Sequence, residues 1–258
     1  MLRELSSAPL VTWGNAWLSG HAGLDDAVDA VEHRTGPNVI GTAPEELPVT
    51  SGTPLRSALA GLRPEGLTAF RLCLPVPGDP LGLVGTAELN MAAIEAREAV
   101  LLQLGNRQIG IVPSEDRRGS SYVGVSWTPY PAADTVPETP QLSEAEHALT
   151  HAMRESADLF RNVDDITGWG KQAGRALTDL RDPKSTPEAS LAPGHPQRAH
   201  RLAAQADRLA AVVQLASDGT GRGLSSAQMH TRNDALRVLD SAVRRARVAA
   251  YGAAAAPR

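Results

Sequence analysis

Between Pro131 and Gln141 the chain changes character. Before this stretch, short β-rich runs alternate with Gly- and Pro-rich loops; after it, long Ala/Leu/Arg segments recur at helical spacing. Pro131, Pro137 and Pro140 interrupt both periodicities, so the stretch reads as a linker or an extended crossover. The expected architecture is α+β. A small antiparallel sheet with helices occupies residues 1–138, and an antiparallel helical bundle occupies residues 139–258. A chain of 258 residues has room for two such domains.

Charge divides at the same place. Residues 1–140 carry nine Lys/Arg against sixteen Asp/Glu, a balance of −7; residues 141–258 carry sixteen against thirteen, a balance of +3. Aromatics are only 3% of the chain, so the core must be mostly Leu, Val and Ala. Arg is the usual cation, with Lys171 and Lys184 the only lysines. That usage, with abundant Ala, Gly and Pro, suggests a GC-rich coding genome. The single cysteine, Cys73, excludes an intrachain disulfide and a Cys-based zinc site. It lies in an apolar run and reads as a small buried hydrophobe, without the charged neighbour that would make a reactive thiol. There is no apolar signal core and no run of the ~18–20 apolar residues that spans a bilayer, so a cytoplasmic protein without membrane contact is expected.

The amino-terminal half punctuates itself. Residues 8–19 and 24–33 carry helical apolar spacing, residues 39–40 read as a short strand, and residues 54–62 read as a helix with Leu55, Leu59 and Leu62 inward. A buried strand over residues 67–74 ends at Pro75-Val76-Pro77-Gly78-Asp79-Pro80, where proline removes ladder donors. Residues 87–96 suit a helix. Gly105-Asn106 then joins two strand-like runs, residues 99–104 and 107–112, as a hairpin. Residues 122–130 add a third run, with Val123, Val125 and Trp127 on one side.

In the second half, Ser143 and Glu146 form a capping-box pattern. The helix they open places Leu142, Ala145, Leu149, Ala152, Met153 and Phe160 on one side, and Gly168-Trp169-Gly170 breaks it. Residues 171–180 continue helically and residues 181–194 read as loop. Further helices are expected over residues 196–217, opened by Pro196, and from Ser225 or Ser226 to residue 251, with a fraying alanine tail beyond.

Two His-containing motifs invite a metal reading. Glu144-Ala145-Glu146-His147 has the Glu-x-x-His spacing of di-iron bundles, and His151 stands four residues beyond His147. At ~100° per residue both imidazoles fall opposite the apolar side, and no second Glu-x-x-His accompanies them. A solvated polar face accounts for them, and no metal or other cofactor is expected. Gly219-Thr220-Gly221-Arg222-Gly223 lacks the preceding strand and glycine spacing of a dinucleotide fingerprint, and Gly168-x-Gly170-Lys171 lacks the upstream glycine of a P-loop.

Several stretches point elsewhere. They are Trp13-Gly14-Asn15-Ala16-Trp17-Leu18, Arg71-Leu72-Cys73-Leu74-Pro75-Val76-Pro77-Gly78-Asp79, residues 95–100 and Pro193-Gly194-His195-Pro196-Gln197-Arg198. Together they resemble a group of uncharacterised proteins from high-GC Gram-positive bacteria (actinobacteria), across roughly the whole chain. The resemblance implies a non-secreted bacterial protein. It brings no established activity and transfers no catalytic residue.

Whether the chain is an enzyme stays open at this point. The charge split favours a non-catalytic role in which the two units bind another protein, through residues such as Asp79, Arg237, Arg244 and Arg247. One alternative is an enzyme or small-ligand binder with a pocket at the domain junction, bordered by the loop of residues 75–85 and nearby acids Glu88, Glu95 and Glu98. Another is a nucleic-acid binder using Arg237, Arg244 and Arg247, which would lack interleaved aromatics for base stacking.

Overall fold

The computed structural model describes residues 5–118, 122–135, 138–162, 191–218 and 226–253. The Gly168-Trp169-Gly170 break, the helix expected over residues 171–180, most of the loop after it, the Gly219–Gly223 turn, the alanine tail and the side chain of Phe160 lie outside the described residues. Of the described residues, 5–139 with Leu191–Pro196 and 251–253 form one compact unit; 140–162 with 197–250 form the other.

The first unit contains α1 (Ser7–Leu18), α2 (Leu24–Thr35), β1 (Asn38–Ile40), α3 (Leu55–Leu62), β2 (Leu67–Cys73), α4 (Ala87–Ala96), β3 (Ala99–Leu104), β4 (Arg107–Arg118) and β5 (Tyr122–Pro131). The strands form one sheet in the order β1-β5-β4-β3-β2. Strands β2 to β5 are antiparallel neighbours, as the expected small antiparallel sheet requires, with Gly105-Asn106 joining β3 to β4, while β1 joins β5 in parallel and makes the sheet mixed. A three-residue strand carries no sequence signal for its direction. It enters parallel because α2 leads into it beside β5.

Strand β4 runs to Arg118, beyond the expected stop at Val112, although Pro113, Pro129 and Pro131 lie in the β4–β5 ribbon. The ladder explains this. Val125 N–H donates to Pro37 O and Gly41 N–H to Trp127 O, so the odd-numbered residues of β5 aim their backbone groups toward β1 and away from β4. Pro129 and Pro131 therefore lack donors only where β1 has already ended. Pro113, opposite Trp127, likewise turns its nitrogen toward β3, whose pairing ends at Ile111.

Helices cover both faces of the sheet. Against α1 to α3 lie Ile40, Phe70, Leu72, Val100, Leu102, Ile109, Ile111 and Trp127, all buried. Trp127 donates its indole N–H to Asn38 Oδ1 at 2.7 Å; Asn38 Nδ2 donates to Thr35 Oγ1 and Gly36 O, and Asn38 N–H donates to Glu32 Oε1. This network fixes the α2–β1 turn to the largest core side chain. On the other face, Leu89 and Ala93 of α4 pack with Cys73, Ala99, Leu101 and Val112. Gly110 makes room, since a Cβ there would lie 2.4 Å from a Leu89 methyl.

The second unit contains α5 (Leu142–Asn162), α6 (Gln197–Asp218) and α7 (Ser226–Tyr251). Ala145, Leu149, Ala152 and Met153 are buried, as the periodicity predicts. Arg232 of α7 donates to Ala216 O and Arg247 to Asp207, so α6 and α7 are antiparallel. Arg198 pairs with Glu146 and Gln205 Nε2 meets Met153 Sδ at 3.3 Å, so α5 and α6 run in the same direction rather than antiparallel. Residues 163–196 separate these two helices. A connection of that length lifts the short-loop constraint that makes sequence neighbours antiparallel.

Candidate functional site

The residues singled out in the sequence mostly serve the fold. In α1, Gly14 faces the Phe70 ring, where a Cβ would lie 2.7 Å from ring carbons. Asn15 Nδ2 donates to Phe70 O and its Oδ1 accepts from Phe70 N–H, each at 2.9 Å. Trp17 carries the Arg63 guanidinium 5.3 Å from its ring centroid.

The loop of residues 75–85 closes on itself. Val76 and Asp79 exchange backbone hydrogen bonds across Pro77-Gly78, with Gly78 at φ +82 as a tight turn of this kind requires. Leu74 N–H then donates to Leu81 O, and Leu81 and Leu83 are buried. Burial pushes the Cys73 thiol up to about 12, more than Arg71 and a backbone contact pull it down, and the thiol donates to Gly82 O at 3.1 Å. Thiolate chemistry is closed to it near neutral pH. Asp79 is half-buried within the turn.

The neighbouring acids separate. Glu98 is buried, and its carboxylate accepts from Ser7 N–H at 2.8 Å, where the positive end of the α1 dipole favours it. Glu88, Met91 and Glu95 instead form a stripe on the outer side of α4, opposite buried Leu89 and Ala93, with Met91 66% exposed. Thr86 caps α4 by accepting from Leu89 N–H at 3.3 Å. The Glu88 carboxyl sits below its ordinary range because its own backbone N–H and the Thr86 hydroxyl donate to it. The sequence points to Glu88 and Glu95 as acids beside the loop but not to Met91 between them.

In the second unit, His147 is exposed and His151 faces Glu155 at 3.3 Å on the exposed side of α5. No group of three or more His, Cys, Asp or Glu able to hold a metal ion occurs among the described residues. Arg237 pairs with Asp234 and keeps an exposed side chain. Arg244 pairs with Asp240 and Arg247 with Asp207, each at 2.8 Å, with only 10% and 18% of their side chains exposed. The structure thus brings Asp79 and the three arginines into separate local contacts.

In the segment before α6, Gly194 at φ +88 sits against His21, where a Cβ would lie 2.5 Å from the ring. His195 is buried with Nδ1 3.0 Å from Ala192 O. The motifs behind the actinobacterial resemblance thus serve as anchors, mostly within the first unit, with Arg198 pairing with Glu146 in the second. Comparison with known families agrees. The description "Rv1486c-like protein, N-terminal domain" matches residues 7–144, and "Rv1486c-like protein, C-terminal domain" matches residues 143–248. The chain belongs to the Rv1486c-like family. It is 28% identical to an uncharacterized protein of Mycobacterium leprae, with 96% of both chains covered. It is 29% identical to one of Mycobacterium tuberculosis over the same shares. No solved structure matches. Among the described residues, no helix is long and apolar enough to cross a membrane.

Proposed function

We propose that this Rv1486c-like chain works by binding a basic protein partner through the acidic outer surface of its first unit. One observation carries this reading. Among the described residues, four arginines of the second unit are held by acids of the same unit, although Arg154 and Arg201 face outward, while several carboxylates of the first unit stay exposed. Arg198 pairs with Glu146, Arg237 with Asp234, Arg244 with Asp240 and Arg247 with Asp207. In the first unit Arg56 and Arg107 take up Asp25, Asp29 and Glu65, and Glu45, Glu46, Glu88 and Glu95 stay exposed.

The α4 stripe gives this surface its shape. Met91 offers a polarisable apolar contact between two carboxylates on a rigid, capped helix, an arrangement suited to a partner that mixes Arg/Lys with apolar side chains. Hydroxyl-radical footprinting tests the reading. In chain isolated together with its native partners, oxidation of Met91 is expected to fall several-fold relative to the isolated chain, with Met229 unchanged. Equal oxidation of Met91 in both states would remove the stripe from the binding surface.

A further inference from the structure

Strand β2 ends the sheet, and only Arg71 in its sequence discourages a new strand from adding there. Leu67–Cys73 is apolar apart from Thr68 and Arg71, and contains no proline. Such an edge normally exposes outward-facing peptide groups that template pairing. Here the central rung, Phe70, has its N–H and C=O both taken by the side-chain amide of Asn15 at 2.9 Å. A primary amide offers one donor and one acceptor with the spacing of a peptide group, so Asn15 stands where a residue of a sixth strand would stand. The next stretch of the edge is covered as well. Leu74 N–H donates to Leu81 O, and Gly82 approaches so closely that a Cβ on it would lie 3.2 Å from Leu72 O. At the opposite edge, Ile40 N–H donates to Thr53 O and Gly52 N–H donates to Ile40 O. The sheet is thus closed at both sides by its own chain.

We infer that Asn15 is a latch on the β2 edge whose role is to keep a second copy of this chain from pairing there. A second copy is the natural occupant because antiparallel pairing about a two-fold axis presents the same strand to itself, and every copy carries the same rung. Gly14 is part of the latch. It lets α1 approach until the Asn15 amide reaches the strand.

The test is the mass of the full chain, measured by light scattering after size-exclusion across a wide concentration range. Asn15→Ala is expected to raise the mean mass toward twofold over wild type at high concentration. Leu59→Ala, which weakens the buried side of α3 and leaves the Asn15–Phe70 hydrogen bonds in place, is expected to keep the wild-type mass at a comparable loss of thermal stability. Wild-type mass for Asn15→Ala at every concentration would overturn the inference, as would equal association of Leu59→Ala. If Asn15→Ala fails to fold, Asn15→Asp replaces it. The carboxylate still accepts from Phe70 N–H but leaves Phe70 O unpaired, so association above wild type is expected and an unchanged mass overturns the inference.

Discussion

Cys73 shows how one side chain loses its chemistry to its surroundings. It is fully buried between β3 and the returning loop, and its thiol donates to Gly82 O. A folded pKa of about 12 against an ordinary 9.0 means that the native state holds its proton longer than the unfolded chain. The resulting stability is present below about pH 9 and is lost as pH rises from there toward 12. Cys73→Ala is therefore expected to flatten the alkaline limb of stability against pH. In the wild type, alkylation at neutral pH is expected only under denaturing conditions; rapid labelling of the folded chain would contradict the placement. Burial of this thiol was legible from the apolar run around it. The structural use of Asn15 was not, because its partner is Phe70, 55 positions away, and a one-dimensional pattern holds no trace of such a pairing.

At the scale of elements, apolar runs and their Gly and Pro boundaries located several elements well. The bounds of α4 agree with the pattern, and β2, β3 and β5 fall within a residue or so of it. It fell short where the partner decides. Pro113 argues for ending β4, yet the strand continues because β3 has stopped beside it. The direction of β1 and the parallel course of α5 and α6 are likewise set by what lies next to them. The packing of α4 gives a sharp prediction. Leu89 is fully buried and fills the space left by Gly85 and Gly110. Leu89→Ala is expected to cost about 2–5 kcal/mol, because backbone on both sides cannot collapse into the cavity. Chemical denaturation measures it, and a loss below about 1 kcal/mol would mean that α4 does not press on the sheet as described.

For the whole molecule, the charge split read from the sequence survives folding, but its two halves differ in kind. In the second unit Arg198, Arg237, Arg244 and Arg247 each pair with an acid of the same unit. Negative charge in the first unit remains at the surface, with Met91 among it. Sequence composition records the totals and is silent about which charges neutralise one another. The decisive measurement compares the wild-type chain with Glu88→Lys/Glu95→Lys in quantitative affinity capture from a lysate of the host organism, at low and high salt. Both positions are exposed, so the substituted chain should keep its fold. The account predicts that the wild type retains a basic protein at low salt, that high salt releases it, and that the charge-reversed chain recovers at least tenfold less. Equal recovery by both chains, or retention indifferent to salt, would contradict it.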